Sequence, residues 1–274
     1  MKTKSIQGTA LITGASTGIG AIYADRLARR GFDLILVARN EERLQKVAQR
    51  VRESSGRNVK VLAVDLTKKA DLGRIEQVLR EDTEITLLVN NAGFGAVTPL
   101  LQSNVDKMDE MISINVNALT RLTYAAVPGF VARGKGALIN IASIVAIGPE
   151  ILNGVYGASK AYVLALTQSL QHELKGKGVR VQAVLPGATA TEFWDVAGLP
   201  HSNLSKGSVM TAEDMVDASL AGFDQGEVVT IPPLQDGQKW TDYEALRQAL
   251  SQQFSHATPG PRYLSNPPVG SDAN

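Results

Sequence analysis

Short apolar runs alternate along the chain with longer stretches in which apolar residues recur every three or four positions. The short runs are almost uniformly apolar, which is typical of strands buried on both faces of a parallel sheet. They predict strands at residues 9–13, 34–38, 59–64, 85–89, 137–141 and 179–185.

The longer stretches predict amphipathic helices at residues 20–30, 41–53, 69–80, 106–131 and 157–175. Strands that alternate with helices predict parallel pairing, because the chain must cross over the sheet between two parallel strands. Right-handed crossovers then give a Rossmann-like, doubly wound α/β sheet. The alternation is unbroken up to about residue 232, so we expect residues 1–232 to form a single domain.

Two regions depart from this alternation. Residues 187–210 mix glycine, proline, serine and threonine with large apolar residues, which predicts a long functional loop beside a substrate. Residues 233–274 form a C-terminal extension that is richer in proline, glycine, glutamine and serine. We expect one helix in the extension, at 240–254, and a poorly ordered end from residue 258.

The composition narrows the classes of function. The formal net charge of the 274 residues is +1, so neither nucleic acid nor a membrane surface is an expected partner. The chain has no cysteine, and its three histidines have no partners at metal-ligand spacing, so we expect no metal site. The polar start is followed by an apolar run too short for a signal peptide, which favours a cytoplasmic location.

A glycine-rich turn with the spacing G-x-x-x-G-x-G links the first predicted strand to the first predicted helix. Glycine lets backbone N–H groups approach a ligand closely, and a helix N-terminus favours an anion such as a pyrophosphate. An ordinary glycine-rich turn is the alternative. The candidate cofactor contacts in this turn are Gly14, Ser16, Thr17, Gly18, Ile19 and Gly20.

Arg39 follows the second predicted strand, where NAD-binding sites place an acid for the ribose 2′-hydroxyl. The nearest acid in that strand, Asp33, lies at its opposite end. A guanidinium can instead bind a 2′-phosphate through charge-assisted hydrogen bonds. The sequence therefore favours NADP, with a solvent-exposed arginine next to a helix start as the alternative.

Tyr156 and Lys160 are four residues apart at the start of a predicted helix, which puts both side chains on one face. A free phenol has a pKa near 10. A neighbouring ammonium lowers that pKa, so the pair could exchange a proton near neutral pH.

In combination, these motifs resemble the short-chain dehydrogenase/reductase family in its compact form. The resemblance covers residues 6–230, and its motifs lie at the carboxyl ends of predicted strands, where doubly wound sheets bind ligands. Besides the glycine-rich turn, it rests on Asn90-Asn91-Ala92-Gly93, on Ser143 with Tyr156 and Lys160, and on Pro186-Gly187.

The resemblance implies an oxidoreductase that transfers hydride between NADP(H) and a ketone or aldehyde, or a secondary alcohol. In that reaction Tyr156 is the general acid/base, Ser143 orients the carbonyl oxygen, and Lys160 lowers the Tyr156 pKa and binds the nicotinamide ribose. Asn115 anchors a proton-relay water. The further implied cofactor contacts are Asp65, Leu66, Asn91, Ala92, Gly93, Pro186, Gly187 and Thr189.

The segments expected around the substrate are mostly apolar, which favours a moderately hydrophobic carbonyl compound. The resemblance also implies a homodimer or homotetramer, formed through the two longest predicted helices. Two other functions stay open: a non-catalytic NADP-binding sensor or partner protein, and an NAD-linked alcohol dehydrogenase.

Overall fold

The predicted strands assemble into one sheet in the computed structural model, which describes residues 8–199 and 207–264. The strands are Thr9–Thr13 (β1), Asp33–Ala38 (β2), Val59–Ala63 (β3), Ile85–Asn90 (β4), Gly136–Ile141 (β5), Val179–Val184 (β6) and Val229–Thr230 (β7). Their order across the sheet is β3-β2-β1-β4-β5-β6-β7, and all neighbouring pairs are parallel. The predicted Rossmann-like, doubly wound fold is confirmed.

Helices cover both faces of this sheet. They are Gly18–Arg29 (α1), Glu41–Ser55 (α2), Lys69–Glu81 (α3), Val105–Ile112 (α4), Leu119–Ala132 (α5), Gly154–Glu173 (α6), Phe193–Ala197 (α7), Ala212–Gln225 (α8) and Gln238–Ser251 (α9). A π-helical segment, Ser113–Ala118, joins α4 to α5.

Two apolar layers hold the helices onto the sheet. Successive strand residues point to opposite faces, so Ile12 packs with α1, α2 and α8 while Leu11 packs with α3, α5 and α6. Both side chains are completely buried. Full burial of such a side chain stabilises the fold by about 1.5–3 kcal/mol, so these layers fix the strand ends to which the site residues are attached.

The chain runs from β1 outward to β3 in one direction and then from β4 to β7 in the other. Where the strand order reverses, between β1 and β4, the connections leave toward opposite sides and open a crevice at the carboxyl ends of the strands. The glycine-rich turn after β1 and the Asn91 segment after β4 both lie at this position.

Four elements differ from the sequence-based predictions. The predicted helix at 106–131 is wrong as a single α-helix, because the π-helical segment interrupts it. Helix α7, which lies inside the predicted loop, helix α8 and strand β7 were not predicted. The side chain of Thr211 begins α8 by accepting a hydrogen bond from Asp214 N, whereas the two residues of β7 are too few to show a pattern.

The described residues up to Pro233 form one compact unit, and those from Leu234 to Leu264 form a second. In the second unit, α9 buries none of its side chains, and Trp240 stacks on Tyr243 with ring centroids 5.3 Å apart. Residues 200–206 of the predicted loop and residues 265–274 of the predicted poorly ordered end lie outside the described residues, as do residues 1–7.

Candidate active site

A cavity of about 790 Å³ occupies the crevice at the carboxyl ends of the strands. It brings together residues that are far apart in the sequence, because each follows a different strand. The predicted site residues that line it are Gly14, Ser16, Thr17, Gly18, Ile19, Arg39, Asp65, Leu66, Asn91, Ala92, Gly93, Ser143, Tyr156, Lys160, Pro186, Gly187 and Thr189. Gly20 and Asn115 are not among the lining residues.

The turn after β1 presents backbone N–H groups to the cavity. Gly14 and Gly18 have φ values of 66° and 51°, which side chains other than glycine rarely adopt. Helix α1 begins at Gly18, and the Thr17 side chain does not cap it. The first N–H groups of α1 therefore have no side-chain acceptor at the cap and suit an anion.

Gly20 packs closely against the backbone of the glycine-rich turn. A Cβ atom there would lie 2.3 Å from the Gly14 carbonyl oxygen and 2.6 Å from Asn91 Nδ2. Asn91 Nδ2 donates hydrogen bonds to the carbonyls of Thr13 and Gly14, at 2.9 and 3.1 Å. Sequence reasoning missed the reciprocal role of Thr13, whose hydroxyl accepts from the N–H groups of Asn91 and Ala92.

The far end of the cavity holds two guanidinium groups, each beside a carboxylate. Arg39 is 70% exposed, and its guanidinium lies 4.0 Å from the Glu110 carboxylate. Arg43, which sequence reasoning missed, also lines the cavity and forms a 2.6 Å ion pair with Glu192. Its position four residues after Arg39 was the available signal. The two arginines lie past the glycine-rich turn that suits a pyrophosphate, and this arrangement fits a dinucleotide that carries a 2′-phosphate.

Asp65 lies beside this end, after β3. Its carboxylate accepts hydrogen bonds from the backbone and the hydroxyl of Thr67. Helix α3 begins only at Lys69, so Asp65 does not cap it. Burial raises the pKa of Asp65, but the two Thr67 hydrogen bonds and the charges of Arg39 and Lys68 together hold that pKa below its usual value.

Tyr156, Ser143 and Lys160 meet at the other end of the cavity. All three side chains are buried, and the Tyr156 phenol is hydrogen-bonded to the Ser143 hydroxyl. Lys160 Nζ donates a 2.8 Å hydrogen bond to the Ile141 carbonyl and lies 5.8 Å from the centre of the Tyr156 ring. The structure thus places three of the four predicted catalytic residues in one cluster.

The expected lowering of the Tyr156 pKa is not found in this arrangement. Burial raises the pKa of Tyr156 to about 12, and the hydrogen bond with Ser143 offsets only part of that rise. Lys160 is also desolvated, which lowers the pKa of its ammonium to about 8, and its Nζ donates to the Ile141 carbonyl. The Tyr156 phenol is therefore protonated at neutral pH and can act as an acid.

Asn115 lies in the π-helical segment and is buried. Its side chain accepts a hydrogen bond from Phe94 N and donates to Phe94 O and to Ser159 Oγ. A π-helical turn commonly displaces a functional residue out of α-helical register. Here it joins the loop after β4 to helix α6, which carries Tyr156 and Lys160.

Asn153, the N-cap residue of α6, also connects the loop after β4 to α6. Its Oδ1 caps the helix by accepting from the N–H groups of Val155 and Tyr156, at 2.9 and 3.4 Å. Its Nδ2 donates to Thr98 O and to Ser103 Oγ, at 2.6 and 3.1 Å. Every polar atom of this buried amide is satisfied, which fixes the start of α6 against the loop after β4.

The apolar part of the cavity is built around Tyr156. The Phe193 ring packs on the Tyr156 ring, with centroids 5.7 Å apart, while Trp194 Nε1 donates to the Thr189 carbonyl at 2.9 Å. Phe193 thus covers the phenol and Trp194 anchors the loop. The other apolar residues of this cluster are Phe94, Ala96, Met108, Met111, Val145, Leu152 and Val155.

Metal-ligand groups and membrane-spanning helices are both absent from the described residues. Between residues 8 and 199 and between 207 and 264, no three His, Asp or Glu side chains are grouped closely enough to hold a metal ion. In the same part of the chain, no helix combines the length and the apolar character needed to span a bilayer.

Comparison with known proteins gives consistent matches. The family model described as short chain dehydrogenase matches residues 8–198. A short-chain dehydrogenase from Sphingobium yanoikuyae, solved in complex with NADPH, is 47% identical with a TM-score of 0.91, over 94% of this chain and 100% of that chain. The bulky-bulky ketone specific alcohol dehydrogenase from Comamonas testosteroni is 44% identical with a TM-score of 0.86. The match covers 94% of this chain and 98% of that chain. An uncharacterized oxidoreductase of Staphylococcus epidermidis is 31% identical over 81% of this chain and 93% of its own length.

Proposed function

Because the chain belongs to the short-chain dehydrogenase/reductase family, we propose that it reduces a ketone or aldehyde to an alcohol with NADPH, with Tyr156 as the general acid. The burial of Tyr156 together with Ser143 and Lys160 in the cavity carries this proposal. When bound, NADPH supplies the hydride.

Tyr156 and Ser143 would act on the oxygen of the substrate carbonyl. Both hydroxyl groups belong to one buried hydrogen-bonded pair, so they can converge on a single oxygen atom. The Ser143 hydroxyl would donate a hydrogen bond that orients the carbonyl, and the Tyr156 phenol would transfer its proton to the oxygen as negative charge develops there. A buried, preorganised donor pair is more effective than the same groups in water, since it needs no reorientation during the reaction.

Lys160 would supply positive charge beneath the phenol. Its Nζ lies 5.8 Å from the Tyr156 ring centre, and an ammonium at that distance stabilises the phenolate left after proton transfer. Its hydrogen bond to the Ile141 carbonyl oxygen holds the side chain in place. The ammonium has further N–H donors, which can bind a ribose hydroxyl. Asn115 would position the loop around this group and, as the family resemblance implies, hold a relay water.

We propose that the chain works in the direction of reduction. Burial keeps Tyr156 protonated at neutral pH, which is the form that donates a proton to a carbonyl. Oxidation of an alcohol needs the phenolate instead, and with a pKa of about 12 that form is scarce.

The proposed substrate is a ketone with large apolar groups. The cavity wall beside Tyr156 consists of Phe94, Val145, Leu152 and Phe193, which suits aryl or branched alkyl substituents. The relative from Comamonas testosteroni is described as specific for bulky-bulky ketones, which supports the same substrate class for this chain.

The experiment is a panel of ketones, graded from one small substituent to two large ones, assayed by NADPH oxidation with the purified chain. Turnover that favours the larger ketones supports the proposal. Tight binding of NADPH without turnover of any ketone or aldehyde would favour the non-catalytic sensor. Tighter binding of NADH than of NADPH would favour the NAD-linked dehydrogenase.

A homodimer or homotetramer stays a proposal, as does a cytoplasmic location. Helices α4 to α6 expose Val105, Tyr124 and Tyr162 by 77%, 71% and 38%. Exposed large apolar and aromatic side chains are typical of subunit interfaces. Sedimentation across a range of protein concentrations tests the proposal, which a monomer at every concentration would contradict.

A further inference from the structure

We propose that Arg43 binds the 2′-phosphate of NADP(H) together with Arg39, and that Glu192 competes with this phosphate for Arg43. Glu192 is then a determinant of cofactor affinity and of the preference for NADP(H) over NAD(H). This inference rests on NADP(H) as the cofactor of the proposed reaction, and it adds residues of the second helix and of the substrate loop to the cofactor site.

Arg43 and Arg39 are directed into the same end of the cavity. Arg39 precedes the Asn40 cap of α2, and Arg43 lies in the first turn of that helix. The cap fixes the turn, because Asn40 Oδ1 accepts a 2.9 Å hydrogen bond from Arg43 N. A phosphate held by Arg39 would therefore lie beside a second guanidinium and beside the positive end of the α2 dipole.

The two cations have unequal partners. Arg39 is 4.0 Å from Glu110, a distance at which charges attract without a hydrogen bond. Arg43 donates to Glu192 at 2.6 Å, so its charge is already neutralised. An incoming 2′-phosphate, with between one and two negative charges at neutral pH, must share Arg43 with Glu192 or separate the pair.

Glu192 is not free to move far from this end of the cavity, because both of its sequence neighbours are in contact with the site. Thr191 lies against the glycine-rich turn, where a Cβ atom on Gly18 would be 3.1 Å from Thr191 Cγ2. Phe193 packs on Tyr156. The backbone of Glu192 is therefore held beside the site, which keeps its carboxylate within reach of Arg43 and in competition with a bound phosphate for that guanidinium.

The alternative is an ordinary surface ion pair between α2 and the loop. The side chains of Arg43 and Glu192 are 49% and 58% exposed, and pairs of that exposure contribute between 0 and about 1 kcal/mol to stability. On this alternative, removing the Glu192 charge would leave cofactor affinity unchanged or weaken it. The proposal predicts a gain in affinity for NADPH alone.

The test measures dissociation constants for NADPH and NADH by titration of nicotinamide fluorescence, which needs no turnover. The variants are Glu192→Gln, Arg43→Gln and the double variant. Glu42→Gln is the matched control, because Glu42 forms a 2.6 Å ion pair with Lys46 on the same helix but does not line the cavity.

We expect Glu192→Gln to tighten NADPH binding about two- to fivefold with no change for NADH, as fits an exposed charge. Arg43→Gln should weaken NADPH binding by at least about tenfold, the range for a lost charge-assisted contact. In the Arg43→Gln background, Glu192→Gln should change NADPH affinity by less than about half its effect in the wild type. The control should bind both cofactors as the wild type does.

Two outcomes would overturn the inference. Unchanged NADPH affinity in Arg43→Gln would remove Arg43 from the phosphate site, and unchanged or weaker affinity in Glu192→Gln would remove the competition. The failure of the proposed function looks different, because it would be tighter binding of NADH than of NADPH by the wild type, or binding without ketone reduction.

Discussion

The Phe193 ring lies against the Tyr156 ring, with centroids 5.7 Å apart and planes tilted by 47°. A tilted pair at this distance is a favourable aromatic geometry. The contact places a large apolar side chain beside the ring of the phenol that would donate the proton. We expect a carbonyl substrate to reach Tyr156 past Phe193, so this ring should limit the size of the groups beside the carbonyl.

Replacement of Phe193 by Ala should shift the substrate range toward bulk. Removal of the ring enlarges the cavity beside Tyr156 and removes an apolar contact to smaller substrates. We expect the ratio of kcat/KM for a diaryl ketone to that for a methyl ketone to rise by about fivefold or more, since the loss of one good apolar contact is worth about 1–3 kcal/mol. Steady-state kinetics on the two ketones measures the ratio. Leu101→Ala, at a residue 94% exposed, is the control, and an unchanged ratio in Phe193→Ala would contradict the size-limiting role.

Gly95 is required for the approach of Phe193. A Cβ atom on Gly95 would lie 2.4 Å from Phe193 Cζ and 3.2 Å from Tyr156 Cε2. Gly95→Ala must therefore displace the Phe193 ring. We expect kcat/KM to fall about tenfold for the preferred ketone, because the Tyr156 ring loses its contact with Phe193. Gly154→Ala is the matched control, because nothing lies within 4 Å of a Cβ atom there. Equal kinetics in the two variants would show that the packing of Phe193 on Tyr156 does not matter for the reaction.

Lys160 should destabilise the fold near neutral pH. Its pKa is about 8 in the folded protein against a usual 10.5, so the unfolded chain binds more protons between these values and stability rises with pH across this window. Lys160→Met should accordingly be more stable than the wild type, by up to a few kcal/mol below pH 8 at about 1.4 kcal/mol per pKa unit. This advantage should shrink from pH 8 to 10.5.

Urea unfolding at pH 7, 9 and 10 measures the difference in free energy of unfolding between Lys160→Met and the wild type. The exposed Lys177→Met serves as the control. A difference that is independent of pH would contradict the burial of a titrating ammonium at residue 160.

Asn153→Asp should separate the two functions of this buried amide. The carboxylate can still accept from the N–H groups of Val155 and Tyr156, but it cannot donate to Thr98 O and Ser103 Oγ. We expect a loss of about 1–3 kcal/mol in the free energy of unfolding, since a buried acceptor loses its donor, and a lower kcat as the start of α6 shifts. Asn104→Asp is the control, because Asn104 caps α4 through its Oδ1 at an exposed position. If both variants unfold alike, the Nδ2 contacts of Asn153 do not contribute.

The sequence predicted those parts of the molecule that short-range patterns determine. Uniformly apolar runs such as 85–89 indicate buried strands, because a strand that is covered on both faces of the sheet has no solvent-exposed position for a polar residue. Once the strands are assigned, their carboxyl ends are known, and with them the positions of Gly14, Asn91, Ser143 and Pro186. That Tyr156 and Lys160 of α6 join Ser143 was implied by the family resemblance and not by the strand ends.

The features that the sequence did not predict depend on contacts between distant segments. The ion pair of Arg43 with Glu192 and the packing of Phe193 against Gly95 join residues from different connections, and no local pattern encodes them. The Tyr156 pKa was expected to be low because a cation follows four residues later. In the structure the pKa of Tyr156 is raised instead, because the side chain is buried. The burial of Tyr156 and Lys160 depends on all the segments packed around them, which a local pattern does not encode.

Single-turnover oxidation of saturating NADPH by a bulky aryl ketone, in the wild type and in Tyr156→Phe, tests the central claim most directly. The phenylalanine keeps the ring that packs on Phe193 and removes only the proton donor. The account predicts an NADPH dissociation constant within about twofold of the wild type and a rate at least about 100-fold lower, the contribution of a general acid. A rate close to that of the wild type, with NADPH bound equally well, would contradict it.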